Sequence, residues 1–179
     1  MAERESGHVE SAGEIVDKLR RLGLNPVLVG GMALAILGSR RITRDFDFLI
    51  DAPGDRLSSV LDVFYDRGFE LVCHLDDADN VTATIDNSRV AAIRLRADEP
   101  ASAYFFNPGT RLRMDLLFDF PVPAREVAGA ATPMKVLGHV FDVASPEDLL
   151  RLKKIAKAAR SFAGDAQDIE FLESRLKGA

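Results

Sequence analysis

The sequence predicts an α+β fold, a mixed β-sheet flanked by helices and completed by a C-terminal helical pair. Two observations predict it. Short apolar runs with strand-like alternation are concentrated in the middle of the chain, and apolar residues at helical spacing occupy both ends. A third, the 179-residue length, fits one domain that buries its core without disulfides or a structural metal.

Taken in order, Ala12, Ile15, Val16, Leu19 and Leu22 recur at helical spacing, with Gly23 as a stop and Asn25-Pro26 as a turn. Val27-Leu28-Val29 reads as a buried strand, Gly30-Gly31 follows, and residues 32–37 read as a short helix. Residues 43–51 read as a strand. Phe46, Phe48 and Ile50 fall on one face and Asp45, Asp47 and Leu49 on the other, because strand side chains alternate. Pro53-Gly54-Asp55 opens a helix with Leu57, Val60, Leu61 and Phe64 inward, and Gly68 closes it. Residues 69–74, 81–86, 90–96 and 111–119 are strand candidates, with Leu112, Met114, Leu116 and Phe118 on one face of the last. Residues 122–130 form a short helix and residues 134–143 a further strand. Ser145-Pro146-Glu147-Asp148 is a helix start, with Ser as N-cap, Pro at the first helical position and acids in the first turn. That helix reaches about Ser161, and a last helix covers 165–176 after a turn near Gly164. The organisation is a core, 1–144, carrying a helical unit, 145–179, packed on it as one compact domain.

Composition excludes several classes. One cysteine, Cys73, rules out an intrachain disulfide, and with only three scattered His there is no zinc cluster. Cys73 reads as a buried strand residue. Charges interrupt every apolar run, so no membrane span is expected, and the polar start has no secretory pattern. A cytoplasmic protein is the expectation. A net charge of −5 argues against a general nucleic-acid coat.

The chemistry is concentrated in Val27-Leu-Val-Gly30-Gly31, thirteen intervening residues, and then Asp45-Phe-Asp47-Phe-Leu-Ile50. Two glycines at a strand-to-helix junction let backbone N–H groups approach an anion, and the helix dipole suits a triphosphate. Asp45 and Asp47 project from one face about 6–7 Å apart at Cα. Such a pair suits Mg²⁺, a hard cation that prefers carboxylate and phosphate oxygens, and without a cation it repels itself. A Gly-Gly pair alone is usually a turn, and Asp-x-Asp alone is usually a solvated strand face. Their order and shared strand–helix–strand context carry the signal.

This segment resembles the signature of the nucleotidyltransferase superfamily, the DNA polymerase β-like fold, and within it the AbiEii-like, minimal nucleotidyltransferase branch. The matching residues are Gly30-Gly31-Met-Ala-Leu and Arg41-Ile-Thr43-Arg-Asp45-Phe-Asp47. Ser is common at the second glycine position of the superfamily. With Gly31 there, contacts to phosphate come from backbone N–H alone. The resemblance implies a third carboxylate on a neighbouring strand. Asp115 in Arg113-Met-Asp115-Leu-Leu is the candidate, as a metal ligand or as the base for the acceptor hydroxyl, with an exposed strand Asp the plain alternative and Asp119 a weaker competitor. It further implies that Ser-Pro-Glu-Asp148-Leu-Leu-x-Leu-Lys153 and Asp165-x-x-Asp168-Ile-Glu border the active-site cleft. Lys153 then contacts the triphosphate, and Asp168 orients Lys153 or an acceptor. A plain Lys–Asp pair between two packed helices is the competing reading.

Arg40, Arg41 and Arg44 beside the proposed metal strand, and the stretch Lys153, Lys154, Lys157 and Arg160, suit phosphates of an NTP or of RNA, although most such charges are solvated faces. Tyr104-Phe105-Phe106 suits core packing better than base stacking. The function implied is transfer of an NMP group from an NTP to a hydroxyl, with Asp45, Asp47 and Asp115 as catalytic and metal residues and up to two Mg²⁺. Gly30, Gly31, Arg44, Lys153 and Asp168 are the nucleotide contacts. Acceptors of this chemistry are an RNA end such as tRNA, a protein side chain or a small molecule. AbiEii-like relatives also act as toxins paired with an antitoxin protein. The alternative is a non-catalytic nucleotide- or partner-binding module that keeps the fold, and a pyrophosphate-transferring relative ranks third.

Overall fold

The computed structural model describes residues 2–40, 43–159 and 163–178. Arg41 and Arg160, both named above, and the predicted helix end at Ser161 lie outside them. Among the described residues the chain runs α1 (Ala2–Arg21), β1 (Val27–Val29), α2 (Gly30–Ile36), β2 (Phe46–Ile50), α3 (Leu57–Tyr65), β3 (Glu70–Leu75), β4 (Val81–Ile85), α4 (Ser88–Asp98), β5 (Ser102–Phe106), β6 (Arg113–Phe118), α5 (Ala124–Ala128), β7 (Thr132–Val136), β8 (His139–Val143), α6 (Pro146–Ala159) and α7 (Ala163–Lys177). The strands form one eight-stranded sheet in the order β4-β3-β5-β6-β2-β1-β8-β7. β2 runs parallel to β6 and β1 parallel to β8, and the other neighbours are antiparallel. The sheet is therefore mixed, as expected. No helix among the described residues is long and apolar enough to cross a membrane.

The core is built from the predicted faces. Phe46 and Phe48 stack at 6.3 Å and both meet Phe141 of β8. Phe64 of α3 stacks on Phe105 of β5 at 4.0 Å and meets Phe69 edge-on. Such aromatic pairs add to the large apolar area each ring removes from water. The Tyr65 hydroxyl donates to the Ile85 carbonyl at 2.6 Å and accepts from Leu71 N–H at 3.1 Å, tying α3 to β3 and β4. Burial, more than any other factor, raises its pKa.

Three expectations are corrected and one strand is added. Residues 90–96 are helical, not a strand, because the Asn87 side chain accepts from Arg89 N–H and Val90 N–H and caps α4, while Ala91, Ala92 and Leu95 turn inward. Residues 134–143 are a hairpin, β7 and β8, turned at Leu137-Gly138, both with positive φ (47° and 92°). Tyr104-Phe105-Phe106 belongs to β5, a strand that the sequence reading left unassigned. Cys73 lies on β3 as expected, but it is exposed.

At the C-terminus Ser145 does cap α6: its Oγ accepts from Asp148 N–H at 3.1 Å and donates to Asp148 Oδ2 at 2.7 Å. Leu149 of α6 and Leu172 of α7 are fully buried in the main core, and Arg175 of α7 donates to the Leu37 carbonyl at 3.0 Å, just past α2.

Candidate active site

The site begins where β1 passes directly into α2. Gly30 sits there with φ +67°, a conformation that L side chains rarely adopt. It has a second constraint: a Cβ at Gly30 would fall 1.8 Å from Asp47 Oδ2 and 2.7 Å from its Cγ. The absent side chain is the space in which the Asp47 carboxylate lies. Gly31 is buried, and a Cβ there would come 3.1 Å from Thr43 Cβ and Oγ1. Thus the two glycines accommodate two residues of the Arg-x-Thr-x-Asp-x-Asp stretch.

Asp47 is aligned with Val29 of β1 on one side and with Asp115 of β6 on the other. Abreast on parallel strands, the two acids lie about 4.8 Å apart at Cα. Asp115 is largely buried, and one of its carboxylate oxygens, Oδ1, is buried with no hydrogen-bond partner among the described residues. Burial pushes its pKa up to about 9, helped by the Asp47 charge, by a hydrogen bond shared with Asp47, and by the Asp45 charge. The Arg113 guanidinium pulls the other way. A carboxylate pair in this state takes up either a proton or a cation. Hard oxygens, one of them unsatisfied, are the donor set that a divalent ion such as Mg²⁺ prefers, so the residues present fit that ion.

Asp45 lies just ahead of β2 and is half-buried. Its charge reaches Asp115, yet among the described residues no group of three or more His, Cys, Asp or Glu side chains is arranged to hold a metal. The strong pair is therefore Asp47 and Asp115. Asp119, the weaker competitor, is a turn residue: its carboxylate accepts from Ala52 N–H and Ala124 N–H, both at 2.9 Å. Tyr104 of β5 is aligned with Asp115 on the other flank of β6 and is partly exposed, while Phe105 and Phe106 are buried.

Lys153, Asp165 and Asp168 meet in the interior between α6 and α7. The Lys153 ammonium lies 3.1 Å from Asp165 Oδ1 and 2.7 Å from Asp168 Oδ2, with all three residues buried. The pair expected from the helix pattern is thus present, but as a buried triad with a second acid. Asp165 was missed as a partner, although its i,i+3 spacing to Asp168 was a usable signal. Arg44 is exposed. A cleft of about 460 Å³ opens along Gly38, Ser39, Arg40, Gln167, Asp168 and Phe171, so Asp168 joins the triad to a cavity wall.

No family model matches this sequence, and no curated protein matches it. Solved structures do. The chain is similar to the lincosamide antibiotic adenylyltransferase LnuA in its lincomycin-bound crystal structure, with a TM-score of 0.57 and 14% identity, covering 92% of this chain and 96% of that one. It is similar to an antigenic nucleotidyltransferase-like protein from Paracoccidioides brasiliensis, with a TM-score of 0.57, 20% identity and coverage of 94% and 75%. It is also similar to the antibiotic-resistance factor ANT(2'')-Ia, with a TM-score of 0.58, 14% identity and coverage of 98% and 86%. The fold is that of the nucleotidyltransferases. Within this nucleotidyltransferase fold, the Gly30-Gly31 turn follows β1 directly, and Asp47 and Asp115 lie on β2 and β6, so the site draws on three adjacent central strands.

Proposed function

We propose that this protein is a magnesium-dependent nucleotidyltransferase that moves an NMP group from an NTP to a hydroxyl acceptor. The observation that carries the reading is the alignment of Asp47 with Asp115, one of whose oxygens is buried and unsatisfied. Asp47 and Asp115 would hold the ion, and Asp45 adds negative charge at the same end of β2. When bound, Mg²⁺ supplies charge neutralisation at the phosphates. The triphosphate lies at the start of α2, where backbone N–H groups and the positive end of the helix dipole face an anion, and Arg44 supplies a positive charge from solvent. The acceptor oxygen attacks the α-phosphorus as the bond to the bridging oxygen breaks. Pyrophosphate leaves, and the hydroxyl proton passes to a carboxylate of the site. Lys153 serves by holding Asp165 and Asp168 in place, which fixes one wall of the cleft that Gly38, Ser39 and Arg40 also line.

The similarity to LnuA, an antibiotic adenylyltransferase, and to a resistance factor favours a small-molecule hydroxyl as acceptor. Membership of the AbiEii-like branch rests on the Arg-x-Thr-x-Asp-x-Asp and Ser-Pro-Glu-Asp stretches. An RNA end, a protein acceptor and an antitoxin partner are what that branch adds to the assay.

Thermal melts with each of the four NTPs, with and without Mg²⁺, test this before any acceptor is known. A ligand at one hundred times its dissociation constant stabilises by about 2.7 kcal/mol. The expected result is a Mg²⁺-dependent rise with at least one NTP that is lost in Asp47→Ala. No rise with any NTP favours the non-catalytic module.

A further inference from the structure

Asp115 stands in a row of residues that crosses the sheet. Val29 of β1 is aligned with Asp47 of β2, Asp47 with Asp115 of β6, and Asp115 with Tyr104 of β5. Residues abreast on neighbouring strands share a face and lie about 5 Å apart. Gly30 and the start of α2 therefore close one end of the row, and Tyr104 stands at the other. The face of β5 that carries Tyr104 is the open one. Phe105, pointing the other way, stacks on Phe64 of α3, whereas Tyr104 is 36% exposed. On β3, Leu71 is aligned with Phe105 and buried, so half-buried Val72 extends the surface on the Tyr104 side.

Phosphoryl transfer decides what belongs at each end. The attacking and leaving oxygens lie roughly in line on opposite sides of the α-phosphorus. With the triphosphate at the start of α2, pyrophosphate leaves toward β1. The attacking hydroxyl then arrives from the β5 side, over Asp115, and its carrier lies against Tyr104. Charge on this flank restricts the carrier. Residues 70–86 hold five acids, Glu70, Asp76, Asp77, Asp79 and Asp86, with no Lys or Arg. His74 in the same stretch shares a hydrogen bond with Thr82 Oγ1. The two arginines nearest in sequence to Asp115 are engaged: Arg111 lies over the Phe106 ring, and Arg113 donates to the Asp79 carbonyl at 3.0 Å. A polyanion such as an RNA end gains little there, while a ring with an apolar face fits an aromatic side chain.

We propose, on the transferase reading above, that the acceptor is a non-anionic alcohol whose ring packs on Tyr104 and so brings its hydroxyl over Asp115. Tyr104 is a positioning residue: no bond is made or broken on it, and it sets where the attacking oxygen sits.

Two readouts test it, and the first needs no turnover. The chain has two tyrosines, Tyr65 and Tyr104, so isotope-labelled tyrosine gives ring signals that Tyr104→Phe assigns. With Mg²⁺ and a non-hydrolysable NTP analogue bound, benzyl alcohol shifts the Tyr104 signals and not those of Tyr65. Replacing Mg²⁺ by Mn²⁺ broadens Tyr104 more than Tyr65. The second readout is partition. Attack by water gives NMP and pyrophosphate, and attack by benzyl alcohol gives the benzyl ester of NMP and pyrophosphate. Tyr104→Ala lowers the ratio of ester to NMP about tenfold, and Tyr104→Phe keeps it. The ratio is internal to one reaction, so an unfolded fraction cancels. An equal response of both tyrosines to benzyl alcohol overturns the proposal. An unchanged ratio in Tyr104→Ala does so too, as does transfer to a short oligoribonucleotide in preference to benzyl alcohol. Loss of the Mg²⁺–NTP melting shift in Tyr104→Ala overturns it by putting the ring on the nucleotide side. Absence of that shift in the unaltered chain is instead a failure of the transferase reading.

Discussion

At the scale of the residue, Asp115 is the most informative side chain, because its protonation state is coupled to folding. Its pKa rises from 3.8 to about 9, chiefly through burial and then through the Asp47 charge. Between those values the folded chain keeps a proton that the unfolded chain has released. Metal-free stability from this group is full below about pH 4 and declines as pH rises toward 9. Asp115→Asn removes the ionisable group, so it should raise the metal-free melting temperature at pH 8, leave it nearly unchanged at pH 4, and blunt any stabilisation by Mg²⁺. Melting curves of both proteins across pH check this, and parallel curves would refute it. The pairing itself was readable in part from sequence: alternation put Asp47 and Asp115 on the polar faces of their strands. Their parallel register was not readable, since it depends on a β2–β6 pairing that no local pattern encodes. Nor could alternation reveal that Gly30 is needed as room for the Asp47 carboxylate.

At the scale of the element, α6 and α7 are joined by charge inside an apolar interface. Removing one member of a buried ionic group leaves the others desolvated and uncompensated, at a cost of about 3–5 kcal/mol. Lys153→Met strands both Asp165 and Asp168 and should lower the urea midpoint accordingly. Changing all three to apolar residues of similar size should recover most of the loss, because the charges then leave together. A loss below about 1 kcal/mol in Lys153→Met would mean that the triad is solvated. If Lys153 also touches the triphosphate, the triple variant recovers stability but not the NTP response. Element types were legible where a single face is apolar, as in α3 and β6, and where a cap is explicit, as at Ser145. They were not legible where both faces are apolar. Val90 and Ile93 point outward from α4 while Ala91, Ala92 and Leu95 point inward, which erases the helical stripe and imitates a strand. The β7–β8 hairpin was obscured for a different reason: Leu137-Gly138 lacks the usual Asn-Gly or Asp-Gly turn signal.

At the scale of the whole molecule, the sequence suggested a core of 1–144 carrying a helical unit of 145–179. The packing bears on whether that boundary separates anything energetically. Leu149 and Leu172 are fully buried in the same cluster as Leu28, Leu34 and Phe46, with Leu152 and Phe171 packed against it. Arg175 also reaches the Leu37 carbonyl. Burying a leucine is worth about 1.5–3 kcal/mol, so these two alone supply roughly 3–6 kcal/mol. A domain of this size is stable by only about 5–15 kcal/mol. Deleting 145–179 would also remove one wall of the cleft, because Gln167, Asp168 and Phe171 line it opposite Gly38, Ser39 and Arg40. We therefore expect residues 1–144 alone to give no cooperative melt and no Mg²⁺–NTP response. The full chain should unfold in one transition whose helical and aromatic signals coincide. A sigmoidal melt from 1–144 would show that α6 and α7 are an attachment. Coincident signals in the full chain would instead make them part of the domain that holds the site.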